Sequence, residues 1–262
     1  MATLNIPLDA FYGVMLIFLR VAAIVFSAPV LDTATIPVVF KAGLAFAVSI
    51  LLLPVVDAVV SVRDLSLMAF VIGIFSEIAI GVTIGLSVKL LFTGIQLAGQ
   101  IVGYQMGFAV ANVMDPATSA QIPILAQFYN LTAMLVFLSI NAHHMFFSAL
   151  VDSYTILPPL SIHISPQLVG MMMRLATNMF VVAIKVGAPL IAVMLMVSVA
   201  LGLVARTVPQ MNIFIVAMPM KIVIGLIFMV IVTPYLTAYL IDLFSSYQVT
   251  LFDLIRLMAS AR

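Results

Sequence analysis

The sequence contains no cysteine and no tryptophan, and only 7% of its 262 residues are charged. Without cysteine the chain can form neither a disulfide, nor a thiolate metal site, nor a cysteine nucleophile. Ten basic residues stand against nine acidic ones, and the net charge of +1 therefore offers no field to attract nucleic acid or acidic substrates. Because tryptophan is absent, any aromatic belt at a membrane interface must consist of tyrosine and phenylalanine.

What the sequence has in abundance is apolar residues, which make up 65% of the chain and give a mean hydropathy of +1.35. Soluble domains are about half apolar and carry roughly 25% charged residues. The composition therefore predicts an all-α, polytopic integral membrane protein. Its six apolar blocks are Phe11–Leu31, Val38–Val60, Leu65–Val110, Ile122–Val151, Leu168–Ala205 and Ile213–Ile241.

The third block is too long for one membrane span. At about 1.5 Å per residue it would form a helix of about 69 Å, whereas the hydrocarbon core of a bilayer is ~30 Å thick. We expect the block either to break, around Gly81 to Gly94, or to be covered by protein rather than lipid. The fifth block is also long and contains Pro189.

A glycine-rich stretch from Gly99 to Pro123 separates the third and fourth blocks. Gly99, Gly103 and Gly107 recur four residues apart, so a helix through them carries a strip without side chains. Such spacing favours close packing of helices. The alternative is a flexible hinge beside the loop that follows.

A polar stripe leads towards the same stretch at helical spacing, formed by Thr93, Gln96, Gln100 and Tyr104. The residue before a proline is disfavoured in helical geometry, and Asp115 precedes Pro116. The helix should therefore end by Met114, and Asp115 to Gln121 is typical of a loop.

Ionisable residues are unevenly distributed over the apolar blocks. Acids are scarce there: Glu77 stands against several cations, among them Arg20, Lys89, Arg174 and Lys185. On one helix Glu77 and Lys89 are about 120° and ~18 Å apart, which prevents pairing. Because an unpaired charge at mid-membrane costs several kcal/mol, this deficit favours contacts with other subunits or a wet interior. Alternatively, loop aspartates such as Asp57 or Asp115 fold inwards.

No motif of an enzyme or a metal site is present. The sequence lacks G-x-S-x-G, a phosphate-binding glycine loop and H-E-x-x-H. His143 and His144 are adjacent, whereas metal ligands on a helix are three or four residues apart. We interpret the pair as polar caps at an interface, and we expect no metal, no cofactor and no enzymatic activity.

Three segments carry distinctive motifs: GFAVANVMDPATSAQIPILAQF from Gly107, VFLSINAHHMF from Val136, and LGLVARTVPQMNIFIVAMPMKIVIGL from Leu201. These motifs resemble the FliR family, the R/T-type membrane subunits of type III export gates. The resemblance extends over nearly the whole chain, since Phe18–Arg20, Ile36-Pro37 and Lys41 also fit. The P-Q-M-N form is typical of the flagellar branch, and the virulence-type branch is the alternative.

The resemblance implies a non-enzymatic subunit of the flagellar protein-export gate in the bacterial inner membrane, at the flagellar basal body. It implies a P-type-like part at residues 1–167 fused to a Q-type-like helical hairpin at 168–262. The partners implied are P-type and Q-type membrane subunits, the A- and B-type export proteins, and unfolded export substrates. Helices of such an assembly are covered by sister subunits, which would account for the overlong third block.

The resemblance also implies roles for particular residues. A plug within the channel would consist of Gly107, Phe108, Asn112, Met114, Asp115, Pro116 and Gln121. The spacing of Gly99 and Gly103 beside this segment favours them as its hinge. Because polar groups in apolar helices need a wet or shared interior, we expect inter-subunit polar contacts at Glu77, Lys185, Arg206, Gln210 and Lys221.

Two further hypotheses follow from the residues alone. The first is a secondary transporter with broken helices around Gly99 to Pro123, although such folds commonly carry internal repeats and the sequence shows none. The second is a structural assembly factor for another membrane complex.

Overall fold

The computed structural model describes residues 8–29, 36–54, 56, 67–108, 123–159, 162–163, 165–208, 210 and 212–259. Over these residues the chain is helical and contains no strand, which confirms the predicted all-α class. The helices are α1 (Leu8–Ser27), α2 (Val38–Leu52), α3 (Leu67–Met106), α4 (Ile124–Ser139), α5 (Ala142–Ile156), α6 (Pro166–Thr207) and α7 (Ile213–Ala259).

Three of these helices are far longer than a bilayer is thick. Helices α3, α6 and α7 contain 40, 42 and 47 residues, which corresponds to roughly 60–70 Å each. All three are apolar enough to cross a membrane, and the α4–α5 pair adds a fourth candidate if it counts as one broken span. The predicted excess of length is confirmed for the third block and is shared by the last two helices.

Several predicted boundaries were wrong. Helix α3 is continuous, so the suggested break around Gly81 to Gly94 is absent. Prolines lie inside α6 and α7 without ending them, because neighbouring groups can satisfy the backbone in membrane helices. Helix α7 also continues to Ala259, well beyond the predicted end of the sixth block at Ile241.

The fourth apolar block, in contrast, is broken where the sequence predicted one span. Helix α4 ends at Ser139 and α5 begins at Ala142. Between them Asn141 has a φ of 57°, in the left-handed region. Asparagine enters this region more readily than most residues, so a single residue suffices to end one helix before the next.

The chain divides into two compact units. Unit 1 consists of Met1–Leu90, Asn141–Leu175 and Ser245–Arg262, and unit 2 consists of Leu91–Ile140 and Ala176–Phe244. These units do not coincide with the P-type-like and Q-type-like parts. The division into a P-type-like and a Q-type-like part concerns similarity to other families, and it stays a prediction.

In unit 1, α1 packs directly against the first part of α3. A Cβ added to Gly81 would lie 2.6 Å from the Arg20 carbonyl oxygen and 2.6 Å from Ala23 Cβ. The Gly85 backbone likewise faces Ser27 without room for a side chain. The small-residue spacing in α3 therefore provides close backbone approach, as predicted for tight helix packing.

In unit 2, the second part of α3 contacts α4, α6 and α7. Phe92 of α3, Phe137 of α4 and Phe244 of α7 form an aromatic cluster with centroid separations of 5.2–5.5 Å. A Cβ on Gly94 would lie 2.6 Å from the Met179 carbonyl oxygen of α6. The core of unit 2 is thus apolar and closely packed.

Candidate functional site

A buried ion pair occupies the centre of unit 1. Arg20 of α1 and Glu77 of α3 are both 0% exposed. Arg20 Nε donates to Glu77 Oε2 at 2.6 Å, and Nη2 donates to Oε1 at 3.1 Å. This two-point geometry matches the planar guanidinium to the carboxylate and is the stronger form of such a pair.

The remaining donors of Arg20 are satisfied by the end of α5. Nη1 donates to the carbonyl oxygen and the hydroxyl of Ser153, and both Nη atoms lie 3.2 Å from the Leu157 carbonyl oxygen. The guanidinium carbon also lies 4.2 Å from the ring centre of Tyr154. The Tyr154 hydroxyl in turn donates to the Ile17 carbonyl oxygen at 3.2 Å. One guanidinium therefore joins α1, α3 and the end of α5.

The ion pair changes the interpretation of the charges. Both oxygens of Glu77 bind Arg20 inside the chain, so the predicted inter-subunit contact of Glu77 does not fit this arrangement. Sequence reasoning missed the pair because its members are 57 residues apart, and helical spacing carries no signal over such a separation. The aspartates offered as alternative partners, Asp57 and Asp115, lie outside the described residues.

Three further cations of the apolar blocks are on the surface of the chain, whereas Lys41 is buried. Lys89, Arg174 and Lys185 are exposed. One Nη of Arg174 contacts Met171 Sδ at 3.8 Å. Among the other predicted inter-subunit residues, Arg206 and Gln210 are exposed and Lys221 is half-buried. The three exposed members of the predicted set, Lys185, Arg206 and Gln210, are thus accessible to another chain.

The described part of the predicted plug is its first two residues. Helix α3 ends at Met106, and Gly107 has a φ of 92°, a conformation that favours glycine. The Gly107 amide donates to the Tyr104 carbonyl oxygen at 3.2 Å. Phe108 is half-buried. The remaining predicted plug residues lie outside the described residues: Asn112, Met114, Asp115, Pro116 and Gln121.

Met106 fixes the end of α3 against α7. Its side chain is 0% exposed. It fills the space beside Gly225, where an added Cβ would lie 2.8 Å from both Cγ and Sδ of Met106. Gly107 is next to Met218 of the same helix, at 4.0 Å from an added Cβ to Cγ. The segment predicted as the plug therefore starts from a point held by α7.

The two predicted hinge glycines differ in their surroundings. At Gly99 an added Cβ would lie 2.7 Å from Ala126 Cα and from the Leu125 carbonyl oxygen of α4. At Gly103 the nearest atoms are in the flexible Leu125 side chain, at 3.7 and 3.8 Å. Gly99 thus has a packing role, and hinge motion at either position stays a prediction.

The polar stripe of α3 lies opposite its packed face. Thr93, Gln96 and Gln100 are half-buried, and Tyr104 is 59% exposed. The positions on the opposite face of the helix are all fully buried: Ile95, Ala98, Val102 and Met106. Within unit 2 the stripe therefore faces outward and the apolar positions face inward, although the side-chain oxygen of Gln105 is also buried.

No group of three or more potential metal ligands occurs among the residues that the structure describes. The rings of His143 and His144 are 4.3 Å apart at the start of α5, and the His144 amide donates to the Asn141 carbonyl oxygen. Their interfacial position stays a prediction.

Comparison with known proteins identifies the family. The model of the bacterial export proteins, family 1, matches residues 11–247. The chain is 31% identical over 258 residues to the flagellar biosynthetic protein FliR of Bacillus subtilis (strain 168), covering 97% of this chain and 99% of that protein. It is 30% identical to FliR of Escherichia coli (strain K12), covering 90% of each chain, and 30% identical to FliR of Pectobacterium carotovorum subsp. carotovorum, covering 93% of each.

These matches confirm the resemblance drawn from the sequence motifs. They agree with the long apolar helices and with a location in the bacterial inner membrane, at the flagellar basal body. The chain belongs to the bacterial export proteins, family 1, and is a subunit of the flagellar export apparatus.

Proposed function

We propose that the chain is a non-enzymatic subunit of the flagellar export gate that forms, with P-type and Q-type membrane subunits, the channel for unfolded flagellar proteins. The observation that carries this proposal is the exposed apolar surface of α6 and α7. Only 17% of the most apolar 18-residue stretch of α6, and 11% of that of α7, is buried within the chain. Such surfaces mark contacts with protein or lipid.

Lipid alone cannot cover this surface. On α7, Ile215, Val230 and Val249 are 71%, 75% and 65% exposed. The first and last of these are about 51 Å apart along the helix at ~1.5 Å per residue, whereas a hydrocarbon core is ~30 Å thick. An average helix tilt of about 20° does not close this gap. Helices of sister subunits would cover the remainder.

The same helices support a Q-type-like hairpin at residues 168–262, following a P-type-like part at 1–167. Helices α6 and α7 are consecutive, long and joined by a short connection after Thr207. Lys185, Arg206, Gln210 and Lys221 would supply polar contacts to the P-type and Q-type subunits. The A- and B-type export proteins complete the expected set of partners.

The segment from Gly107 to Gln121 would act as the plug of the channel. Two observations support this role. Helix α3 ends at Gly107, which has a positive φ, and the Met106 side chain packs against Gly225. Glycine permits displacement, and soft apolar residues such as Met114 can close on a passage without trapping a passing chain.

Deleting the segment Gly107–Gln121 tests the plug. We expect the deletion to leave gate assembly intact and to raise the passive ion leak through the gate in intact cells. Replacing the same segment by a Gly/Ser linker of equal length provides a control for shortening the chain, and it should leak as the deletion does. An unchanged leak in a correctly assembled gate would contradict the plug assignment.

Removing the chain from a flagellated host tests the wider function. Export of flagellar proteins into the medium should stop, and a plasmid copy should restore it. Continued export of flagellar proteins without the chain would contradict its role as a channel subunit. The two experiments are independent, because the second does not depend on the plug.

A further inference from the structure

We propose that the polar stripe of α3 binds the peptide backbone of the unfolded chain in transit and forms a sequence-independent track that leads to the plug. This inference rests on the proposed function. It assigns a substrate contact to Gln96, Gln100 and Tyr104, which the predicted site did not include.

The first argument concerns which side of α3 is open. Ile95, Ala98 and Val102 are fully buried against the rest of unit 2. The opposite face holds Gln100 and Tyr104, and this face is partly to largely exposed. A dry interior and a polar exterior are the opposite of what a helix in contact with lipid requires.

The second argument concerns a change of chemistry along the outer face of the same helix. Phe75, Val82 and Leu86 are exposed apolar residues. At the same helical spacing this face then carries Gln100, which is half-buried, and Tyr104, which is exposed. A carboxamide turned towards hydrocarbon would forfeit its hydrogen bonds, which costs several kcal/mol per group. The polar part of this face therefore requires a hydrogen-bonding neighbour, whereas the apolar part does not.

The third argument identifies the neighbour. A carboxamide carries two donor hydrogens and an acceptor oxygen, like a peptide group, and has no charge. Gln96, Gln100 and Tyr104 recur about every 6 Å along the helix, close to the ~6.6–6.8 Å spacing of alternate residues in an extended chain. An extended polypeptide could thus exchange hydrogen bonds with successive side chains whatever its sequence. Charged groups on the stripe would instead select or trap particular substrates.

The fourth argument is the position of the stripe in the chain. Tyr104 is three residues before Gly107, whose amide donates to the Tyr104 carbonyl oxygen. The stripe therefore ends where the proposed plug begins. A polypeptide that moves along the stripe meets the plug next.

The absence of cysteine makes a direct test possible. Single variants Gln96→Cys, Gln100→Cys and Tyr104→Cys are placed in the assembled gate and treated with a membrane-impermeant maleimide. The reaction is measured with the gate idle and with a flagellar protein stalled in it by fusion to a stably folded domain. The buried positions Ile95→Cys and Val102→Cys serve as matched controls.

We expect the three stripe positions to react in the idle gate and to lose most of this labelling when the substrate is stalled. The two buried controls should react in neither state. No labelling in the idle gate would mean that a sister subunit covers the stripe, and it would overturn the proposal. Equal labelling with and without the stalled substrate would also overturn it, because the stripe would then contact water alone.

The double variant Gln96→Leu/Gln100→Leu provides a second readout. It should reduce the rate of export several-fold while the gate assembles in normal yield, and Gln127→Leu, an exposed carboxamide on α4, should have no effect. Full export by the double variant would contradict the proposal. Co-purification of the stalled substrate with the gate is scored separately. If the stalled substrate does not co-purify with the gate, the channel function itself is refuted. If it co-purifies but the three cysteines still react with the maleimide, only the proposed track is refuted.

Discussion

The two units of the chain place their polar groups in opposite ways. Seven polar or charged side chains are buried in the part of the chain that the structure describes, and all of them belong to unit 1: Arg20, Lys41, Ser49, Ser76, Glu77, Ser87 and Ser153. The described interior of unit 2 is mainly apolar, with Tyr129 and the side-chain oxygen of Gln105 as exceptions, and its polar stripe faces outward. Unit 1 therefore depends on a specific polar network, and unit 2 depends on close packing.

This difference indicates what each unit does. A buried ion pair is a poor source of net stability, but it penalises any arrangement that separates its members. Unit 1 is thus built to keep one geometry of α1, α3 and α5. Unit 2 holds its helices together through glycine contacts and aromatic packing, which leaves its polar side chains available to other molecules.

Breaking the ion pair of unit 1 should have the largest effect on the stability of the chain. Glu77→Leu leaves the Arg20 guanidinium buried without its carboxylate, and we expect a loss of about 3–5 kcal/mol. The double variant Arg20→Met/Glu77→Leu should recover most of this loss, since no unpaired charge remains. Thermal unfolding in mild detergent measures both.

The matched control for the ion pair is Arg174→Met, which removes an exposed arginine and should change stability by no more than about 0.5 kcal/mol. If Glu77→Leu were as mild as this control, the ion pair would not organise unit 1. A double variant at least as destabilised as Glu77→Leu would contradict the same conclusion.

A smaller effect is expected from crowding the packed side of α3 in unit 2. Gly99→Ala would bring a Cβ to 2.7 Å from two backbone atoms of α4, and backbone cannot yield as a side chain can. Separation of the two helices should cost about 1–3 kcal/mol. The measurement is the same thermal unfolding experiment.

Gly202→Ala is the control for this prediction, because nothing lies within 4 Å of a Cβ added there. In the interior of a helix this substitution should stabilise by up to about 1 kcal/mol. Equal behaviour of Gly99→Ala and Gly202→Ala would show that unit 2 does not depend on close glycine contacts.

The smallest effect on stability is expected at the end of α3. Gly225→Ala displaces the Met106 side chain, which is flexible, and should cost only about 1 kcal/mol. Its effect on function should be larger, because Met106 holds the start of the proposed plug. We expect a raised ion leak through the gate, measured as for the plug deletion.

Adding Met106→Ala to Gly225→Ala tests this explanation. Removal of the buried side chain relieves the clash but leaves a cavity, which should cost about 2–5 kcal/mol. It also removes the anchor, so the leak should persist. A gate that stays sealed in both variants would show that the contact of Met106 with Gly225 does not position the plug.

The sequence predicted those features that depend on local spacing. Apolar runs predicted the helices, and the four-residue spacing of glycines predicted close packing, now seen at Gly99. The overlong third block was also predicted. These predictions succeeded because composition and helical period act within a few turns of one element.

Features that depend on distant parts of the chain were not predictable in this way. The partner of Arg20 is 57 residues away, and no periodicity connects the two positions. Asn141, whose left-handed conformation divides the fourth block, has no neighbouring proline that would have predicted the break. The glycines from Gly81 to Gly94, in contrast, suggested a break of α3 that does not occur, because they serve close helix packing instead.

The central claim is that α6 and α7 need helices from other proteins to cover their apolar surface. Native mass spectrometry of the tagged chain, extracted from its host in mild detergent, tests this claim most directly. We predict a large hetero-oligomer of defined mass that contains P-type and Q-type subunits. A stable lone monomer, with these helices covered by detergent alone, would contradict the account.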